Sequence, residues 1–297
     1  MNRVAKFLAH EGRVSLVVAH TTEMVEEIRK IHDLTPTTTA AMGRFATITG
    51  MMGFTEIKDT EDYLTVQMNG KGPMGTLISV VRREAYTSKV KVCTDNPHVE
   101  LPLKANGKLD VSGAVGQNGF LNIINKNEVT DTNYTGLVPI VTGEIAEDFT
   151  EYFAKSQQKP TVIALGVLVN KDGVKASGGY MIQLMPDATE EDIVKIETAL
   201  SKAPSISQMI DEGMSLEAIA RTVVGDEDIM ILAQELDMKY ECDCDREKFE
   251  RGLISIGKEE LTKIIEEDGE ANTVCHFCNK TYHFDKNDLN DLLAKIN

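Results

Sequence analysis

This chain lacks any apolar run long enough to cross a bilayer. Its longest such stretch, Val162 to Val169, falls far short of the roughly 20 residues that a spanning helix requires. The first twenty residues alternate charges with short apolar runs and contain no signal-peptide core. Both absences predict a cytoplasmic protein with no membrane partner. Basic residues are scarce too, 31 Lys and Arg against 47 Asp and Glu, for a formal charge of −16. The segment 232–297 carries sixteen acidic and nine basic side chains, so it lacks the positive footprint that phosphate contacts need, and nucleic acid is not expected as a partner. Cysteine is rare, five in 297 residues.

Four of those five lie close to the C-terminus, as Cys242-Asp-Cys244 and Cys275-His-Phe-Cys278. Two close pairs of soft ligands fit one tetrahedral zinc ion. Cytosolic thiols are kept reduced, which favours a metal over a constitutive disulfide framework. The single residue between Cys242 and Cys244 is unusual, because structural zinc sites normally space paired ligands more widely. Two residues of extended chain separate Cα atoms by roughly 6.6–7.2 Å, whereas a disulfide usually spans about 4.4–6.8 Å. The pair can therefore bind metal when relaxed and close on itself only when bent. A redox switch and a permanent zinc clip both fit this spacing.

At 297 residues and 32.7 kDa the chain is long enough for two domains. Residues 1–185 read as one mixed α/β unit. Thr22 is placed to cap a helix bearing Met24, Val25, Ile28 and Ile31, and Pro36 suits the first turn of a second helix rich in small residues. Strands are expected at Tyr63–Met68, Thr76–Val81, Val90–Thr94 and Phe120–Ile124, then a helix from Glu144 to Lys155. Two further strands follow Pro160, joined by a turn at residues 170–173. Because the strands cluster and do not alternate regularly with helices, the expected class is α+β. Residues 186–231 read as a helical linker: Thr189 with Asp192 forms a capping box, Ser205 and Ser215 start two more short helices, and such helices depend on docking for stability. Residues 232–297 form a small module with a thin core. Asp245 and Asp285 cap helices there, and Val274–Phe284 reads as a hairpin with the Cys275/Cys278 knuckle at its turn. Metal would supply much of its folding free energy.

Other patterns have ordinary explanations. Gly70-Lys71-Gly72-Pro73-Met74-Gly75 matches a dinucleotide-binding string, yet a strand and not a helix follows it, so a glycine-rich hairpin turn is expected. Glu144, Glu147 and Asp148 suit the first turns of a helix, where the macrodipole favours acids. Cys93 lies in an alternating run and reads as a buried strand thiol. His276 and His283 flank the cysteines but are not needed beside four thiolates. His10, His20, His32 and His98 are scattered, and no nucleophile, cofactor or acid–base set emerges. Two alternatives to a switch are an enzyme carrying a static zinc clip and a thiol oxidoreductase using Cys275 and Cys278. The second lacks the surrounding βαβ pattern.

The four cysteines, together with Gly70–Gly75, Gly143-Glu144-Ile145-Ala146-Glu147-Asp148, Leu165-Gly166-Val167, Gly178-Gly179-Tyr180 and Gly257-Lys258-Glu259-Glu260-Leu261, give the chain a resemblance to the heat shock protein 33 family of bacterial chaperones. The resemblance covers essentially the full length. It departs at Ser156-Gln157-Gln158, where an acidic middle residue is expected, and around Glu84 to Lys89, which lacks an Arg-Gly-Tyr. What it implies is a non-enzymatic, ATP-independent holdase of the cytoplasmic oxidative stress response. Its N-terminal chaperone core would be followed by a metastable linker and a zinc-binding redox-switch domain. In that family the reduced form holds zinc through cysteines matching Cys242, Cys244, Cys275 and Cys278 and is inactive. Oxidation to Cys242–Cys244 and Cys275–Cys278 disulfides releases zinc and unfolds the linker. The implied partners are unfolding client proteins, a second copy in the oxidised state, and ATP-dependent foldases downstream.

Overall fold

The computed structural model describes residues 2–296. Ten strands form one sheet: β1 (Arg3–Ala9), β2 (Val14–His20), β3 (Asp62–Asn69), β4 (Leu77–Glu84), β5 (Thr87–Thr94), β6 (Phe120–Asn127), β7 (Asn133–Pro139), β8 (Thr161–Asn170), β9 (Gly173–Leu184) and β10 (Met230–Tyr240). Their order is β7-β6-β3-β4-β5-β10-β1-β2-β9-β8. Only β5 and β10 run parallel, through Thr87–Val90 and Asp237–Tyr240; the other neighbours are antiparallel. A largely antiparallel sheet with helices set against it is the α+β arrangement expected from the clustered strands. The Gly70–Gly75 segment joins β3 to β4 as a hairpin connection. A Cβ at Gly70 would meet the Gly116 carbonyl oxygen at 2.1 Å, so close backbone approach explains that glycine.

Helices α1 (Thr22–His32), α2 (Pro36–Thr55), α3 (Val111–Val115) and α4 (Ala146–Lys155) complete the first part of the chain. From Thr37 to Phe54 every residue of α2 except Arg44 is buried, as expected of a helix apolar on all sides. Two local expectations are corrected. Thr22 is the first residue of α1 and not its cap; its hydroxyl accepts from the Ser177 backbone N–H at 2.9 Å. Glu144 lies before α4, and its carboxylate is held by Arg44 and Lys104. Asp148 does serve the helix start, as the acceptor of backbone N–H groups of Val141, Thr142 and Ile145 at 2.8–2.9 Å.

The expected short helices form as α5 (Glu190–Lys202), α6 (Ile206–Asp211) and α7 (Leu216–Val224). Thr189, Ser205 and Ser215 cap them as their sequence positions suggest. Ile196, Ile206, Met209, Ile219, Ala220, Val223 and Val224 share one apolar core with Phe7, Leu16, Val18, Tyr180 and Ile182 of the sheet. A polar clamp adds to this packing. Asp192, 1% exposed, accepts from Arg13 Nε at 2.8 Å and Nη2 at 3.1 Å, from Thr189 N at 2.9 Å and from Thr189 Oγ1 at 2.8 Å. The His10 ring faces Asp192 Oδ1 through Nδ1 and the Val224 carbonyl through Nε2, each at 2.9 Å. One residue of the β1–β2 turn thereby holds the start of α5 and the end of α7.

The chain separates into two compact units, 1–241 and 242–297. The expected three-part division at 185/186 and 231/232 is therefore redrawn. Helices α5–α7 belong to the core of the first unit, and the second boundary moves to 241/242 because Met230–Tyr240 is a strand of the large sheet.

The second unit contains α8 (Arg246–Ser255), α9 (Lys258–Glu267), the hairpin β11 (Ala271–Val274) and β12 (Thr281–Phe284), and α10 (Lys286–Leu293). Its core is Leu253, Leu261, Ile265, Tyr282, Phe284, Leu289 and Leu292, with Phe249 and Cys244 packed against it. Asp245 caps α8 and Asp285 caps α10.

Candidate metal centre

The four C-terminal cysteines converge within the second unit. Cys242 and Cys244 occupy the short segment before the Asp245 cap, which fixes the chain direction as α8 begins. Cys275 and Cys278 lie in the turn of the β11–β12 hairpin. There the backbone N–H groups of Cys278 and Asn279 donate to the Cys275 carbonyl at 3.3 and 2.7 Å, and Asn279 takes a left-handed φ of 57°. The Cys275 N–H donates to the Lys280 carbonyl at 2.9 Å, closing the knuckle. Such a turn directs both sulfurs to one side.

All four sulfurs lie within 4.8 Å of one another. Cys242 Sγ is 3.6 Å from Cys275 Sγ, and Cys244 Sγ is 3.4 Å from Cys278 Sγ. A regular tetrathiolate shell with metal–sulfur bonds of about 2.3 Å has sulfur–sulfur edges of about 3.8 Å. The set therefore fits a single tetrahedral ion with only small adjustments, and these four residues could hold one. His276 and His283 are not in the cluster; His283 Nδ1 instead faces Asn272 Oδ1 at 3.0 Å. Both of these contacts run between the sequence pairs, as expected where one centre gathers both pairs. Cys93 is not among the four clustered cysteines and is buried on β5, as its alternating run suggests.

The thiols are not equivalent. Burial pushes the Cys242 and Cys278 thiols up from the ordinary range. Burial also acts on Cys244, but hydrogen bonds from Tyr282 and the neighbouring thiols outweigh it and hold that group down. The Tyr282 hydroxyl reaches Cys244 Sγ at 3.2 Å and the Cys244 carbonyl at 3.0 Å. Sequence reading missed Tyr282. Its signal was the alternation Tyr282, Phe284 on β12, which places both side chains in the module core, where Tyr282 meets Phe249 and Phe284 meets Arg246 of α8. Among the described residues no helix is long and apolar enough to cross a membrane.

Comparison with known proteins agrees over the whole chain. The family model described as Hsp33 protein matches residues 2–285. A 33 kDa chaperonin of Alkaliphilus oremlandii (strain OhILAs) is 43% identical over 296 residues, covering 99% of this chain and 97% of the relative. That of Geobacillus kaustophilus (strain HTA426) is 42% identical over 297 residues, covering 98% of each. The crystal structure of a 33 kDa chaperonin (heat shock protein 33 homolog) from Thermotoga maritima matches with a TM-score of 0.88 at 32% identity, covering 99% of this chain and 98% of that one.

Proposed function

The chain belongs to the Hsp33 family of chaperones, and from that premise we propose that its chaperone action is controlled by the redox state of Cys242, Cys244, Cys275 and Cys278. The observation that carries this reading is the convergence of four sulfurs within 4.8 Å in a small module with its own thin core. A bound zinc ion supplies a fixed positive centre that keeps the four sulfurs as thiolates and ties the start of α8 to the hairpin. In this reduced form α5–α7 stay docked and cover the apolar face of β1, β2 and β9.

Oxidation changes the sulfurs themselves. Within each sequence pair, Cys242 with Cys244 and Cys275 with Cys278, two thiolates give two electrons to one peroxide. A sulfur–sulfur bond forms, the peroxide O–O bond breaks, and two hydroxides leave. Disulfide sulfurs carry no charge and release the metal, so the module loses the tie that its core cannot replace. Release of α5–α7 then uncovers Phe7, Leu16, Val18, Tyr180 and Ile182, an apolar surface for unfolding clients that needs no ATP. The oxidised form pairs with a second copy, and clients pass to ATP-dependent foldases after re-reduction. The protein acts in the bacterial cytoplasm as a holdase and not as an enzyme.

Native and denaturing mass spectrometry before and after peroxide with mild heating tests this. The expected result is one zinc lost, two intra-pair disulfides gained, and suppression of client aggregation appearing in the same sample. Retention of zinc with no gain in suppression refutes it.

A further inference from the structure

Tyr282 is the polar group of the module core whose position the core itself does not explain. Its ring is seated against Phe249 of α8, with centroids 4.6 Å apart and planes tilted by 31°. The residue is 8% exposed, and a phenylalanine, as at Phe284 two positions later, would fill the same space. A buried hydroxyl is costly unless it finds a partner. Here the partners are both on Cys244: the sulfur at 3.2 Å and the carbonyl at 3.0 Å. Tyr282 belongs to the hairpin that carries Cys275 and Cys278, whereas Cys244 belongs to the segment before α8. The hydroxyl thus links the two halves of the ligand set through a ligand sulfur.

We propose that Tyr282 is a positioning residue of the metal centre, whose hydroxyl donates to Cys244 Sγ, retains the metal and shields that sulfur from oxidants. A thiolate attacking peroxide breaks the O–O bond, becoming a sulfenic acid and releasing hydroxide. A hydrogen bond on the sulfur draws off the electron density that this attack uses. Oxidation consequently starts at a cysteine other than Cys244. The proposal rests on the tetrathiolate reading above, and the wild-type measurement below checks that reading separately.

The full-length protein is loaded with cobalt(II) or zinc and compared with Tyr282→Phe, which keeps the ring and removes the hydroxyl. Three changes are expected in the variant. The thiolate-to-cobalt charge-transfer band moves to lower energy, zinc affinity measured against a chelator falls about 10-fold, and zinc release by peroxide quickens about fivefold, as for the loss of one ordinary hydrogen bond. Because Tyr282→Phe could impair folding, 3-fluorotyrosine incorporated at the seven tyrosines provides a second measurement. As a stronger donor it should move the band to higher energy. Unchanged band, affinity and release rate, or a fluorotyrosine shift in the same direction as Phe, overturn the role of Tyr282 and leave the tetrathiolate centre standing. A wild-type protein with no tetrathiolate cobalt spectrum overturns both.

Discussion

Asp192→Ala should free the docked helices without disturbing the rest of the sheet. The carboxylate is 1% exposed and accepts from Arg13, Thr189 and His10. Breaking a buried charged pair by deleting one partner costs about 3–5 kcal/mol, because the group left behind is uncompensated. The lower end applies here. Arg13 is a quarter exposed and also pairs with Glu11 at 2.8 Å, so it can turn to water, whereas the His10 side chain is 3% exposed and cannot. About 3 kcal/mol corresponds to about a 10²-fold rise in the opening equilibrium. Native-state hydrogen exchange resolved by peptide is the assay, since it reports opening free energies region by region. Protection across α5–α7 should fall by that factor while α2, buried almost throughout, keeps its own. Asp192→Asn, which retains one acceptor oxygen, should fall between. A loss below threefold would show that apolar packing alone holds the helices. An equal loss in α2 would show that the helices open only with the whole unit.

Acid should weaken the same clamp. The Arg13 hydrogen bonds, against the opposing effect of burial and with help from Thr189 and His10, hold the Asp192 carboxyl well below the usual range. Arg29 likewise pulls Glu26 down to about 2. Both folded-state values are depressed, so their stabilisation is complete above the unfolded carboxylate range near pH 4 and is lost as pH falls towards the folded values. Urea midpoints should therefore decline between about pH 4 and pH 2, with Asp192→Asn declining less; a midpoint independent of pH there would contradict this. Removing metal with a chelator at neutral pH should abolish exchange protection in 242–297 first, with α2 unaffected. A module that stays protected without metal would show that its core suffices alone.

Local rules in the sequence were reliable where the interaction is local. The capping box at Thr189 and Asp192, the caps at Ser205, Ser215, Asp245 and Asp285, and the knuckle between Val274 and Phe284 each depend on residues within a turn of one another. They form as expected. Within each cysteine pair the closeness is local too, but the two pairs meet across more than thirty residues, through the packing of the β11–β12 hairpin against the start of α8. What the sequence hid is long-range. Asp192 was visible as a cap, but its partners His10 and Arg13 lie at the other end of the first unit. Strands β1, β2, β7 and β10 were not distinguished. For β10, Met230, Ile231 and Leu232 are consecutive apolar residues with no period-2 alternation, and all three are exposed. The strand is defined by its partners β1 and β5, which lie far away in the chain.

That undistinguished strand alters the route from the cysteines to α5–α7. If residues 186–231 led directly into the metal module, unfolding the module would leave the last helix with a free end. Instead α7 is followed by β10, and only Glu241 separates β10 from Cys242. The docked helices are thus anchored at both ends by strands of one sheet, β9 before them and β10 after them. β10 is a weak anchor of the two. It pairs with β5 over only Asp237–Tyr240, and its pairing with β1 is interrupted by register shifts between Val4 and Lys6 and between Lys6 and Phe7. By contrast β9 pairs without a shift with β2 from Val14↔Leu184 to His20↔Gly178, and with β8 over Thr161–Asn170 with a single shift, between Leu168 and Val169. Bulged and short pairings open more readily than regular ones. On the proposed switch, losing order in 242–297 would free the C-terminal end of β10, and fraying of β10 would add to whatever loosens α5–α7 from the sheet. The clamp of His10, Arg13 and Asp192 then sets how readily they follow, because it sits on the turn between β1 and β2 and not on β10 itself.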